Sequence, residues 1–251
     1  MEKRYSLFLS LLLTAFIAAN FFYFSNDVNA KKEKAVVARV IDGDTLELND
    51  NRTIRLLNIN APEKKDPNSN LAANYLKKFQ NKTIQLEPIG TDKYHRLLAR
   101  LFYDNLYLNF DLTSKGLVSK YLVQKNEKSK FARAEREAIE KGVGIWEHST
   151  YYGCFQSEID AKKELVTLIN TCKSPNANLS LEGWILKDEG RTRHILPNVN
   201  SGRIIINSGF GNSTSNTLYL GSSINIWNDD ADTLYLFDRK GKIAHTHEYG
   251  Y

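Results

Sequence analysis

Residues 40–63, VIDGDTLELNDNRTIRLLNINAPE, leave room for little besides short, sharply turned β-strands. Asp42-Gly43-Asp44-Thr45 is a tight acidic turn between two apolar runs, and Asn60-Ala61-Pro62-Glu63 ends the next run with a turn whose φ is set by proline. Ala35–Ile41, Thr45–Leu48 and Thr53–Ile59 therefore read as strands. Thr83–Pro88 and Leu97–Tyr103 follow as two more, with Asp104-Asn105 forming a hairpin-like turn. Leu71, Tyr75, Leu76 and Phe79 give residues Asn70–Phe79 a helical period. Leu108–Lys115 and Glu127–Lys141 are further helices, stopped by Gly116 and Gly142. Five short strands with about three interspersed helices predict a mainly β fold with α, an OB-fold barrel.

The turns of this segment carry chemistry as well as geometry. Asp44 and Glu63 are hard oxygen donors of the kind calcium takes. Arg55 lies in a strand between apolar neighbours, so its charge needs an anionic partner: a phosphate, or Asp44 or Glu63. Asp92-Lys93-Tyr94-His95-Arg96 supplies a second arginine. Two cations against the equatorial oxygens and a carboxylate to orient water are what phosphoryl transfer requires. Each residue alone has a plainer reading, since Asp and Gly dominate turns for backbone reasons. Tyr94 is equally a stacking platform or a strand tyrosine, and Lys93 and Tyr121 are equally substrate contacts or surface residues. No Ser-His-Asp or Cys-His arrangement is apparent.

DGDT, RLLNINAPE, TDKYHR, GLV and the closing GVGIW occur in this order across residues 34–149, and this succession resembles the thermonuclease, or micrococcal-nuclease-like, family. The resemblance implies the OB-fold barrel independently. It also implies a calcium-dependent hydrolysis of DNA and RNA that leaves a 3′-phosphate. Asp44, Asn60 and the carbonyl of Ala61 would hold calcium, Glu63 would act on the attacking water, and Arg55 and Arg96 would hold the phosphate. The chain departs from the family pattern at Asn60, where aspartate is common; an amide oxygen can ligate calcium but brings no charge.

From about residue 150 charged helix formers give way to Asn, Ser, Thr and Gly between alternating apolar positions. Leu165–Ile169, Gly183–Leu186, Arg203–Ile206, Leu218–Leu220, Ile224–Trp227, Thr233–Phe237 and Lys242–His245 read as strands of an immunoglobulin-like β-sandwich. The Gly183-Trp184 strand and the Asn228–Thr233 turn make residues 160–251 resemble a lamin-tail domain. Trp146 and Trp184 are expected as core anchors, His245 and His247 on an exposed strand face, and Asp229–Asp232 as a solvated turn.

The formal net charge of +5 is unevenly spread. Residues 31–149 hold 22 Lys+Arg against 16 Asp+Glu, and residues 155–251 hold 10 against 11. Basicity sits with the acidic-turn segment, where it favours a polyanion. At the amino terminus Lys3 and Arg4 precede the apolar stretch 7–24, and Val28 and Ala30 fit a signal-peptidase site. Residues 1–30 thus read as a cleaved signal peptide or a retained membrane anchor, with cleavage after Ala30 preferred. Export agrees with Cys154 and Cys172 as a disulfide rather than two separate thiols. The expected organisation is 1–30, a barrel at 31–149 and a sandwich at 155–251. Two rival functions stand beside an exported nuclease: a nuclease-like barrel that only binds nucleic acid or protein, and a surface protein acting on an unknown ligand through its carboxy-terminal sandwich. The first would be expected to lose Arg55, Glu63 or Arg96, and all three are present.

Overall fold

The computed structural model describes residues 32–173 and 179–251. The amino-terminal apolar stretch and the expected cleavage after Ala30 lie outside the described residues.

Strands β1 (Glu33–Val40), β2 (Thr45–Leu48) and β3 (Thr53–Leu56) form a meander, and β5 (Thr83–Thr91) and β6 (Leu97–Tyr103) extend it on the other side of β1. Parallel pairing of β3 with β6 closes the five strands into a barrel, with Arg55 opposite Leu98. This is the expected OB-fold. The run Thr53–Ile59 is broken, however. Asn58 takes φ 69°, a left-handed conformation that asparagine tolerates, and ends the strand. Its side chain locks the bend: Oδ1 accepts from the Gln124 N–H at 2.9 Å and Nδ2 donates to Glu127 at 2.8 Å. Ile59–Asn60 then forms a short β4, which pairs with β8 (Ser119–Lys120) after β7 (Leu106–Tyr107).

Helices α1 (Asn70–Leu76), α2 (Leu108–Ser114) and α3 (Lys128–Glu140) cover the barrel. The last turn of the expected Asn70–Phe79 helix tightens to a 3₁₀ turn at Lys77–Phe79. Leu46, Ile54, Leu56, Leu86, Ala99, Leu101, Leu112 and Phe131 fill the barrel core.

The carboxy-terminal half contains two four-stranded sheets that fit a sandwich. One is built from β9 (Phe155–Asp160), β10 (Leu165–Asn170), β13 (Arg203–Asn207) and β14 (Thr217–Tyr219). The other holds β11 (Ile185–Lys187), β12 (His194–Ile195), β15 (Asp232–Phe237) and β16 (Ile243–Tyr249). Strands β9 and β12 are additions to the expected set. Ile224–Trp227 is not a strand, because the Glu164 carboxylate takes the N–H groups of Ile226 and Trp227 that a ladder would need. Cys154 and Cys172 form a disulfide that ties the start of β9 to the end of β10.

Strand β15 is apolar on both faces, which places it between two cores. Leu234 and Leu236 join Trp184 and Trp227 inside the sandwich, while Tyr235 packs with Trp146, Ala138 and Ile243 against the barrel's last helix. Trp146 and Trp184 are thus core anchors, as expected. His245 and His247 depart from expectation. Both are half-buried, and both rings lie 2.9 Å from the Ser157 hydroxyl, because β9 of the other sheet crosses this face. Burial and the neighbouring His247 lower the pKa of His245 to about 4. Asp232 is likewise buried, not solvated: its carboxylate accepts from Asn228, Thr233 and Glu189.

Candidate active site

The DGDT turn is shaped by its own side chains. The Asp42 carboxylate accepts the Asp44 N–H at 3.0 Å, a local turn that sends the Asp44 side chain inward. Gly43 passes so close to α1 and to Ala61 that a Cβ there would lie 2.6 Å from that of Ala61 and 2.8 Å from that of Ala72. Asp44 is 1% exposed, so its charge must be met by protein donors. Thr45 Oγ1 donates to Oδ1 at 3.0 Å, the Ala61 N–H donates to Oδ2 at 2.9 Å, and Arg55 Nε lies 3.3 Å from Oδ1.

Arg55 sits directly opposite Thr45 in the β2–β3 ladder, which places its guanidinium beside Asp44. Its Nη2 donates to Asn60 Oδ1 at 2.6 Å and its Nη1 to the Leu56 carbonyl. Burial lowers the Arg55 pKa, Asp44 opposes that shift, and the nearby Arg191 and Arg96 add to it. Arg96 enters from the β5–β6 hairpin. Asp92 holds it through Nε at 2.8 Å and Nη2 at 2.7 Å, leaving Nη1 to reach Thr45 Oγ1 at 3.3 Å. The two arginines thus approach the acidic turn from neighbouring strands. Asp42, partly buried beside Asp44, has a raised pKa, from burial first and the second carboxylate next.

Glu63 follows the Pro62 turn with its side chain 41% exposed. It lines an open cleft of about 520 Å³ together with Asp42, Asp44, Lys64 and Lys65. Tyr94 stands 66% exposed at the hairpin tip, with Lys93 Nζ 5.1 Å and Arg96 Cζ 5.5 Å from its ring centre. Tyr121 follows β8, where its N–H donates to the Asn58 carbonyl.

A further residue occupies this cleft. Arg191, in the loop between β11 and β12, places Nη1 3.0 Å from Glu63 Oε1 and Nη2 3.3 Å from Asp44 Oδ2. Its Nε lies 3.4 Å from Asn60 Oδ1. The same loop receives Asn60 Nδ2, which donates to the Glu189 carbonyl at 3.1 Å. Neither contact was visible in the sequence, since Arg191 and Asp44 are 147 positions apart. Asp92 was also missed as the support of Arg96, although its opposite charge four positions away was a usable sign.

The oxygens of Asp44, Asn60, Glu63 and the Ala61 carbonyl are a hard donor set that suits calcium. A guanidinium lodged among three of these side chains shows that the cup accepts positive charge. Among the described residues no three His, Cys, Asp or Glu side chains converge as a ligand group, so an ion here would complete its shell from amide or carbonyl oxygens and water.

The comparisons with known proteins agree with this geometry. The family model of staphylococcal nuclease homologues matches residues 53–148. The thermonuclease of Staphylococcus intermedius is 30% identical over 158 residues, covering 55% of this chain and 94% of that protein. An uncharacterised endonuclease of Escherichia coli O157:H7 is 32% identical over 115 residues, covering 44% of this chain and 74% of its own length. The SPbeta prophage-derived endonuclease YokF of Bacillus subtilis is 32% identical over 151 residues, 51% of each chain. The family model starts at β3 and stops before β9, so the matched segment holds Arg55, Glu63 and Arg96, while the acidic turn lies just ahead of it. On this barrel and these relatives, the chain belongs to the staphylococcal nuclease family and has a nuclease-like function.

Proposed function

We propose that the chain is an exported, calcium-dependent nuclease that hydrolyses phosphodiester bonds in DNA and RNA and leaves a 3′-phosphate. The observation that carries this reading is the grouping of Asp44 and Glu63 on one open cleft, with Arg55 3.3 Å from Asp44 and Arg96 reaching the hydroxyl of Thr45 beside it. In this reading Asp44, Asn60 and the Ala61 carbonyl hold the metal. A bound calcium ion would supply positive charge toward the phosphodiester. Glu63, whose side chain is far more open than that of Asp44, orients an attacking water and takes its proton. Arg55 and Arg96 neutralise charge that grows on the equatorial oxygens, and their fixed partners mean that little reorganisation is needed as it grows. Lys93, Tyr94 and Tyr121 contact the strand on either side, with Tyr94 offering an exposed ring to a base. The disulfide supports an oxidising location for the mature chain. We further assign residues 155–251 to a separate, lamin-tail-like domain.

A calcium-titrated digestion of single-stranded DNA, double-stranded DNA and RNA by the purified chain tests the reading. Glu63→Gln is expected to slow hydrolysis by about 10² to 10⁴ with the fold retained. Arg55→Ala and Arg96→Ala are expected to be comparably severe. Unchanged rates in all three variants would place the chemistry elsewhere. Full activity with every divalent ion chelated would remove the metal from the mechanism.

A further inference from the structure

We infer that Arg191 is an active-site residue supplied by the carboxy-terminal half, a tethered cation that competes with calcium for the oxygens of Asp44 and Asn60 and so sets the metal requirement of the site. The inference rests on the calcium-dependent reading above.

Arg191 meets three side-chain oxygens of the proposed metal cup and one of Glu63, the proposed base beside it. Nη1 is 3.0 Å from Glu63 Oε1, Nη2 is 3.3 and 3.5 Å from the two oxygens of Asp44, and Nε is 3.4 Å from Asn60 Oδ1. Three of these contacts are long for charge-assisted hydrogen bonds, which run nearer 2.7–2.9 Å. The guanidinium is therefore cradled as a charge rather than locked in a fork. Its side chain is 44% exposed, so it can leave the cup for water without rearranging a core.

The loop that carries it is, by contrast, held firmly on both sides. The Glu189 carbonyl accepts from Asn60 Nδ2, and the Glu189 carboxylate lies 3.0 Å from the buried Lys120 ammonium. Arg193, two positions beyond Arg191, pairs with Asp66 next to the Pro62 turn. A fixed backbone with a free side-chain end gives the guanidinium a high effective concentration at the cup. A divalent ion must displace it, and its apparent affinity falls by the fraction of time the cup is occupied. Asn60 belongs to the same device. Its amide accepts from two arginines and donates to the Glu189 carbonyl, and an aspartate could not make that donation.

Calcium binding is measured directly by isothermal titration calorimetry on the full chain, without nucleic acid. The proteins compared are wild type, Arg191→Gln, Arg191→Lys and Asp44→Asn, each checked by circular dichroism. Arg191→Gln is expected to bind calcium about two- to fivefold tighter, the upper part of the range that loss of one partly exposed ion pair supports. Arg191→Lys, which keeps the charge, should stay within about twofold of wild type. Asp44→Asn should abolish the binding. Equal affinity in wild type and Arg191→Gln, with binding still lost in Asp44→Asn, would overturn the role of Arg191 and leave the calcium site standing. Weaker binding in Arg191→Gln would overturn it too, by making Arg191 a support of the site. No calcium binding by any of the four proteins would bring down both the inference and the calcium reading beneath it.

Discussion

Asn60 shows how one functional group can answer to two neighbours. Its oxygen faces Arg55 at 2.6 Å and its Nδ2–H faces the Glu189 carbonyl at 3.1 Å, so a single amide links the barrel's arginine to the loop that covers the cleft. A carboxylate here would add a negative charge to the cup and set an oxygen against that carbonyl. Both effects favour a small divalent ion over the tethered guanidinium, since ligand charge raises calcium affinity and the loop loses a hydrogen bond worth about 1 kcal/mol. Asn60→Asp is therefore expected to lower the calcium concentration that half-saturates hydrolysis. A calcium titration of the rate checks it, and an unchanged or higher requirement would show that Asn60 does not limit metal binding. Arg55, by contrast, is almost fully buried, and it contacts Asp44, Asn60 and the Leu56 carbonyl.

At the scale of the element, the acidic turn works because a strand, a turn and a helix meet with no space between them. Gly43 sits where any side chain would press on the Cβ atoms of Ala61 and Ala72. Neither alanine has a flexible end that could yield, so a larger residue must move backbone. Gly43→Ala is expected to cost about 1–3 kcal/mol, the usual penalty for forcing a methyl into a packed site. That corresponds to a thermal midpoint lower by about 2–4 °C per kcal/mol for a chain of this size. The same displacement would pull the Ala61 N–H from Asp44, now at 2.9 Å, so activity should fall more than stability alone explains. Differential scanning calorimetry and the digestion rate measured well below the midpoint separate the two effects. Asp92 and Arg96 form the matching unit on the β5–β6 hairpin, where a two-point ion pair fixes the arginine that faces the turn.

On the scale of the whole molecule, the halves are joined by buried charge as well as by Trp146 and Tyr235. Lys120 is 0% exposed and lies within 2.7–3.2 Å of Glu135 from the barrel and of Glu189 and Glu248 from the sheet that faces it. Burial lowers the pKa of Lys120, but the three glutamates outweigh that and leave it raised. Glu189 responds the other way. Burial pushes its pKa up to about 7, Glu135 adds to the rise, and Lys120 and the Tyr251 hydroxyl oppose it. An unfolded glutamate ionises near 4.5. Between 4.5 and about 7 the folded chain thus keeps a proton that the unfolded chain has lost, and this contribution to stability declines as pH rises through that window. Asp188, raised to about 6 mainly by burial, acts in the same sense, and His245, lowered to about 4, in the opposite one. Comparing Glu189→Gln with wild type cancels those shared groups. The melting midpoint of the variant relative to wild type is expected to rise from about pH 5 to about pH 8, and a flat difference would show that Glu189 is ionised throughout.

The barrel's strands, its three helices and the acids and arginines grouped around its acidic turn were legible in the sequence because each rests on local rules. Alternating apolar residues and Gly, Pro or Asn turns specify short strands, and Asp44, Arg55 and Glu63 lie within one stretch of chain whose geometry those turns dictate. The Cys154–Cys172 pair was legible for a similar reason, being two cysteines a short way apart in one chain. The break at Asn58 was not, because the left-handed bend is held by Gln124 and Glu127, 66 and 69 positions further along the chain. Nor was the false strand Ile224–Trp227, whose ladder partners were replaced by a distant carboxylate, Glu164. Arg191 is the clearest case. In the sequence it is one cation in a polar turn, and only the packing of β15 against the barrel's last helix carries it to Asp44. Local patterning determined which chemistry this chain can hold, and long-range packing of two apolar faces decided which charges stand beside it.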